Sequence, residues 1–303
     1  MAQYLNDLLT EFLREHRYRN SSEATVETYR TTLSFFLRDS GVILLEHLTP
    51  GTVAHWLVAQ RERSGKHGKP LSPVTLRHYD RNLRAFCNWL VTSEYLPSSP
   101  MAKLKKPKNL QGANIVTFTL PELMKIRDAC KRDYAQNKLR DVALVYLLLD
   151  TGVRAGEVGT INLHQIAWRE RELRVSGKTG GRIVPVSSKT LFKIKRYVTH
   201  ERWAPPGEPT LFTTKHGKPF DSRNVTQAVR RLTAVAQVES TKRGPHMFRH
   251  TFAVEYLRGG GDVFSLKRIL GHSSITTTEA YVHYLAEDLA KLHNVVSPVK
   301  HIF

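Results

Sequence analysis

The chain has 303 residues, 41% of them hydrophobic and 24% charged, a balance that supports a sizeable core and excludes wholesale disorder. Lys and Arg number 46 against 27 Asp and Glu, a formal net charge of +19. Such an excess draws polyanions from a distance, and nucleic acid is the commonest of these in a cytosol; a merely soluble basic protein is the alternative reading.

Length favours two domains over one. Residues 1 to about 96 read as four amphipathic helices. Tyr4, Leu5, Leu8, Leu9, Phe12 and Leu13 recur at helical spacing, and Val26, Tyr29, Leu33, Phe36 and Leu37 mark one face of a second helix. Thr49-Pro50 opens a third, because proline in a first turn loses no hydrogen bond. Ser72-Pro73 opens a fourth, whose Leu76, Tyr79, Leu83, Phe86, Trp89 and Leu90 face inward with Arg77, Arg81 and Arg84 between them. Those arginines are either solvated surface or contacts to phosphate. Pro97, Pro100 and Pro107 then break the periodicity, so residues 97–117 read as a linker between domains 1–103 and 104–303. Lys103, Lys105 and Lys106 in it suit a phosphate backbone, and equally a solvated strand of chain.

In the second domain Thr119, Pro121 and Glu122 make a helix opening, and the apolar run around Val142–Leu149 makes the following helix central. It stops at Thr151-Gly152. Residues 171–175 and 182–186 flank a glycine-rich turn and read as a β-hairpin, with further helices expected at 187–198 and 221–236. The fold class is therefore mainly α with a small β-sheet. That apolar run is also the longest in the chain and falls well short of the ~20 residues of a membrane span. Cys87 and Cys130 are too few to staple the fold, and the first residues carry acidic side chains and no small-residue cleavage site. A cytoplasmic setting is expected.

Three short stretches carry chemistry. Thr151 to Glu157 spells T-G-V-R-A-G-E and places Arg154 at a helix end, beside Glu157 as a potential ion-pair partner. Gly244 to His250 spells G-P-H-M-F-R-H, with His246 and Arg249 three apart on one helical face. His272 follows Leu270-Gly271, and Tyr281 closes a polar run from Ser273 to Thr278. A buried structural histidine and an aromatic packed under a helix are the ordinary uses of His246 and Tyr281. His246 and His250 have metal-ligand spacing, but no H-E-x-x-H and no cysteine cluster accompanies them, so no zinc site is expected.

T-G-x-R-x-G-E, H-x-x-R-H, L-G-H-S and T-T-x-x-Y-x-H, in that order, resemble the signature boxes of the tyrosine recombinase (phage integrase) family, of the simple two-domain type. The resemblance covers most of the chain. It implies an N-terminal four-helix core-binding (SAM-like) domain, an α+β catalytic domain, and a C-shaped clamp on duplex DNA. It further implies a site-specific recombinase in which Tyr281 attacks a phosphodiester, giving a 3′-phosphotyrosyl link and then a Holliday junction. In that scheme Arg154, Arg249, His246 and His272 hold the phosphate, Glu157 orients, and His250 supports from outside the reacting groups. Lys178, in S-G-K-T-G-G-R at the hairpin tip, is the general acid for the leaving 5′-oxygen. Surrounding cations are expected to favour the phenolate of Tyr281. Tyr284 is the rival phenol. Partners implied are double-stranded DNA with paired inverted half-sites and a homotetramer assembled on it, with no cofactor, ATP or metal. Two other functions share these features: relaxation of DNA by a type IB topoisomerase, and binding without cutting by a repressor.

Overall fold

The computed structural model describes residues 3–63, 70–107, 115–132, 137–177, 180–239, 243–282 and 293. By its contacts the chain divides into two compact units, Met1–Gln111 and Gly112–Phe303. Among the described residues no helix is long and apolar enough to cross a membrane.

The first unit is built on α1 (Leu5–Tyr18), α2 (Glu23–Ser40), α3 (Pro50–Glu62) and α4 (Pro73–Thr92). Ser22, Thr49 and Ser72 each accept a hydrogen bond from the backbone N–H three residues on, so three of the four helices start where a side chain satisfies an otherwise unpaired donor. The stripes on the four helices meet in one core that includes Leu5, Phe12, Leu33, Phe36, Trp56, Phe86 and Leu90. Phe12 sits edge-on to both Phe86 and Trp89, the arrangement that aromatic quadrupoles favour. Tyr4, counted with the α1 stripe from its spacing, precedes the helix and is 53% exposed.

Two expectations for this unit change. The stretch from Pro97 to Leu104 belongs to the helical core: Met101 is fully buried in it and Leu104 packs against it. Arg84, expected to face phosphate, turns inward to hold that stretch. Its Nε donates to Asp80 at 2.9 Å, Nη1 to the Met101 carbonyl at 2.8 Å and Nη2 to the Leu104 carbonyl at 2.7 Å. An Arg84→Ala chain therefore leaves two carbonyls and a buried aspartate without their donor. It should lose about 1–3 kcal/mol in a urea melt while its catalytic unit is unchanged.

The second unit contains α5 (Leu120–Ala129), α6 (Lys138–Thr151), the single turn α7 (Ala155–Val158), α8 (Ser188–His200), α9 (Ser222–Val235), α10 (Pro245–Arg258), α11 (Val263–Leu270) and α12 (Thr276–Val282). Its antiparallel sheet has the order β1 (Ile166–Ala167), β2 (Glu172–Gly177), β3 (Gly180–Pro185). Thr119 and Glu122 bond reciprocally at the start of α5, and β2 pairs with β3 from Glu172↔Pro185 to Gly177↔Gly180. Leu173, Val175 and Val184 alternate into the core. β1, two residues long, is too short to leave a period in the sequence. α10 is buried almost all round, with Met247, Phe248, Thr251, Phe252, Ala253, Val254 and Leu257 enclosed, and it packs on α6. Thr251 Oγ1 accepts from the Phe118 N–H at 2.9 Å, which fastens the entry of the unit to this central helix.

Both α6 and α11 end on a left-handed glycine, Gly152 at φ 61° and Gly271 at φ 65°. A Cβ on Gly152 would stand 2.5 Å from Phe252 Cδ1 and 2.8 Å from Leu270 Cδ2, so glycine is required there for room as well as for backbone angle. The two turns leave their last carbonyls pointing at one place, and the arginines collect there.

Candidate active site

Arg249 projects from α10 between those two helix ends. Its Nη1 donates to the Gly152 carbonyl and its Nη2 to the Leu270 carbonyl, both at 2.7 Å. The ends of helices carry partial negative charge on unpaired carbonyls, so a cation is at home here without a carboxylate partner. The residue is only 3% exposed. Burial first, and then repulsion from Arg154, pull its pKa down to about 10, which leaves it charged at neutral pH.

Arg154 is the N-cap of α7, placed by the tight turn after Gly152. Its Nη1 donates to Glu157 Oε1 at 3.1 Å, its side chain is 40% exposed, and among the described residues its Nη2 makes no hydrogen bond. That leaves one prong of the fork for an external anion. The ion pair with Glu157 and an outward-facing donor coexist in one side chain.

Glu157 is buried and serves two arginines. Arg182 from β3 grips it with both prongs, Nη1 to Oε1 at 2.8 Å and Nη2 to Oε2 at 2.9 Å, and the Arg154 backbone N–H adds a bond at 2.8 Å. Burial pushes this carboxyl up, but the Arg182 fork, the Arg154 N–H and the two positive charges outweigh it and hold the pKa below the usual value. Arg182 was not among the residues singled out from sequence. Its Nε also donates to the Ile269 carbonyl at 2.6 Å, and its chain lies where a Cβ on Gly271 would stand, 3.0 Å from Cδ. Arg182 thus joins the hairpin, the Glu157 turn and the end of α11 in one side chain.

The α11 terminus also carries His272. Its Nδ1 is 2.8 Å from Thr278 Oγ1, and burial, then Arg249, Arg154 and Arg182, press its pKa down to about 4. It is neutral at physiological pH. If Nδ1 accepts from the Thr278 hydroxyl, Nε2 carries the remaining proton and is a donor. His246, one turn before Arg249, is exposed, and its pKa is lowered first by partial loss of hydration and then by Arg249 and Arg154.

Tyr281 stands on α12, 4% exposed, with its ring stacked parallel to His272 at 6.5 Å between centroids. Its hydroxyl is 2.9 Å from His250 Nδ1. His250, expected to stand back from the reacting groups, touches the phenol directly. The expectation of a favoured phenolate is corrected: burial raises the phenol pKa, and the opposing pull of Arg249 and Arg154 is the smaller effect. Its ring is part of the buried core of this unit, and its hydroxyl is directed to His250, the residue after Arg249.

Lys178, like Tyr284, lies outside the described residues. In the first unit Arg81 is exposed with Nη2 at 3.3 Å from His78 Nδ1, Arg77 is half-buried, and Lys103, Lys105 and Lys106 are exposed. Cys87 and Cys130 are free and buried, their thiols pushed up to about 12 by burial.

The phage integrase family model matches residues 117–288, more than half of the chain. Tyrosine recombinase XerC of Actinobacillus pleuropneumoniae serotype 7 (strain AP76) is 27% identical over 92% of this chain and 90% of its own. Tyrosine recombinase XerA of Saccharolobus solfataricus is 28% identical over 93% and 90%. Among solved structures, the XerH site-specific recombinase bound to palindromic difH substrate superposes with a TM-score of 0.75, at 19% identity over 93% of this chain and 82% of that one, and so shares the fold. The chain belongs to the phage integrase family, that of the tyrosine recombinases.

Proposed function

We propose that this tyrosine recombinase cuts and rejoins duplex DNA at specific sites through Tyr281, which attacks a phosphodiester to give a 3′-phosphotyrosyl link and a free 5′-hydroxyl. The observation that carries the reading is that the Tyr281 hydroxyl is 2.9 Å from His250 Nδ1, on the residue that follows the carbonyl-locked Arg249 in α10. Negative charge gathers on the nonbridging oxygens as the nucleophile arrives, and cations fixed beforehand at that place lower the barrier more than they strengthen binding. Arg249 is locked by two carbonyls and Arg154 offers an open prong, so both are preorganised for that charge. Glu157 orients Arg154, and His272 and His246 donate to the phosphate from either side. Lys178 delivers the proton to the departing 5′-oxygen.

Because the tyrosyl link keeps the energy of the phosphodiester, rejoining needs no ATP and this route needs no metal. XerH was solved on a palindromic site; by analogy the partner here is DNA with inverted half-sites, on which a homotetramer exchanges strands through a Holliday junction. Arg77, Arg81, Lys103, Lys105 and Lys106 of the first unit follow the phosphate backbone.

The test begins with genomic fragments selected by binding, from which a nicked suicide substrate is made. The chain should form an SDS-resistant adduct with it in EDTA, with the DNA mapping to the peptide that holds Tyr281. Relaxation of a supercoiled plasmid lacking paired sites would instead mark a topoisomerase. Binding with no adduct on any selected DNA would mark a repressor.

A further inference from the structure

The buried phenol needs somewhere to send its proton. Burial holds Tyr281 above the ordinary phenol pKa of ~10, so at neutral pH the nucleophile is protonated and cannot attack as it stands. A group that takes the proton during attack must lie within about 2.6–3.2 Å of the oxygen. His250 Nδ1 is at 2.9 Å, and the ring is held tilted against the Tyr281 ring at 5.8 Å between centroids. The other two histidines are otherwise engaged or placed: His272 Nδ1 faces Thr278, and His246 is exposed on the first turn of α10. α10 carries His250 one residue after Arg249, so the rigid helix that presents the phosphate-binding arginine also sets the histidine against the nucleophile.

We propose that His250 is a catalytic residue, the general base that receives the Tyr281 proton at Nδ1. This rests on the reading of Tyr281 as nucleophile. In the forward step the Tyr281 oxygen forms its bond to phosphorus, the hydroxyl proton passes to His250 Nδ1, and the P–O5′ bond breaks with a proton delivered to O5′ by the general acid. In rejoining the flow reverses: the 5′-hydroxyl attacks, and His250 returns its proton to the departing phenol oxygen. The charge balance ties this transfer to DNA. In the free chain an imidazolium at His250 would follow Arg249 directly on α10 and touch a hydroxyl on which both Arg249 and Arg154 act, so positive charge would gather at one place. A bound phosphate supplies the missing negative charge. Deprotonation is thereby favoured only when a phosphodiester occupies the site.

The role requires that Nδ1 be unprotonated in the resting enzyme, accepting from the phenol. Nitrogen-15 spectra of the histidine-labelled full-length chain read this directly. A lone pair on His250 Nδ1 with the proton on Nε2 is expected; a proton on Nδ1 would overturn the role without any mutation. The kinetic test uses His250→Asn, which can still hydrogen-bond near the Nδ1 position but cannot take a proton. With unaltered binding to the suicide substrate, its first-order rate of adduct formation should fall about 10²–10³-fold. Difluorotyrosine at position 281, whose phenol ionises more readily, should close that gap to about tenfold or less. An unchanged rate in His250→Asn, or a gap that persists undiminished with the fluorinated nucleophile, would show that His250 only props the ring. No adduct from the parent chain would instead remove the reading of Tyr281 on which this stands.

Discussion

A Tyr281→Phe chain is expected to bind its DNA as the parent does and to form no covalent adduct. The exchange deletes one oxygen. The ring keeps its place, because it is packed in the core of the catalytic unit and stacked on His272. The cost to the fold is the bond between the hydroxyl and His250, about 0.5–1.5 kcal/mol, which a thermal melt should register as a small shift. The arginines keep their partners, since Arg249 is held by the Gly152 and Leu270 carbonyls and Arg154 by Glu157. Phosphate binding thus survives while the nucleophile is gone. An adduct retained at the parent's level would assign the chemistry to another side chain, with Tyr284 the first to examine, and would refute the role given to Tyr281.

The largest loss of stability is expected from Glu157→Ala. This carboxylate, 6% exposed as a side chain, is the partner of both Arg154 and Arg182. Removing one member of a buried ion pair leaves uncompensated charge and costs about 3–5 kcal/mol. Here two guanidiniums lose their partner while Arg249 stays close by. Arg182 would lose the anchor that joins β3 to the Glu157 turn, and Arg154 the contact that aims it, so adduct formation should fall along with the melting temperature. The same carboxylate predicts the acid response. Its folded pKa is depressed, so its contribution is present above the unfolded value near 4.3 and is lost as pH falls through the folded one. His272 acts earlier. Its pKa falls from about 6.5 unfolded to about 4 folded, so stability drains between those values as the unfolded chain takes up a proton that the folded one refuses. Melts across this range should show the catalytic unit weakening in two stages, with the lower stage missing in Glu157→Ala. A single acid transition identical in both chains would contradict the assignment.

Much of the site was legible in the sequence because its residues lie in short boxes with a tight turn in each: Arg154 after Gly152, Arg249 within a helix opened by Pro245, His272 after Gly271. Arg182 was not. It stands in a strand beside two glycines, and its partners Glu157 and Ile269 lie 25 and 87 residues away, so nothing local marks it. The protonation of Tyr281 is hidden from the sequence for a related reason. Motifs showed which cations are near the phenol, but burial is a property of the finished core, and burial dominates. In the helical unit, spacing put Arg84 on an outer face correctly as far as α4 alone is concerned. Its reach to Met101 and Leu104 depends on a chain reversal whose only trace is two apolar residues among prolines and lysines.

The way Arg249 is held has one more effect. Its two acceptors come from the ends of different helices, one of them 97 residues earlier in the chain and the other 21 residues later. Neither exists as a docking point until α6 and α11 have closed around α10. A nascent or partly melted molecule therefore carries the Tyr281 phenol before the Arg249 guanidinium has anything to hold it in place.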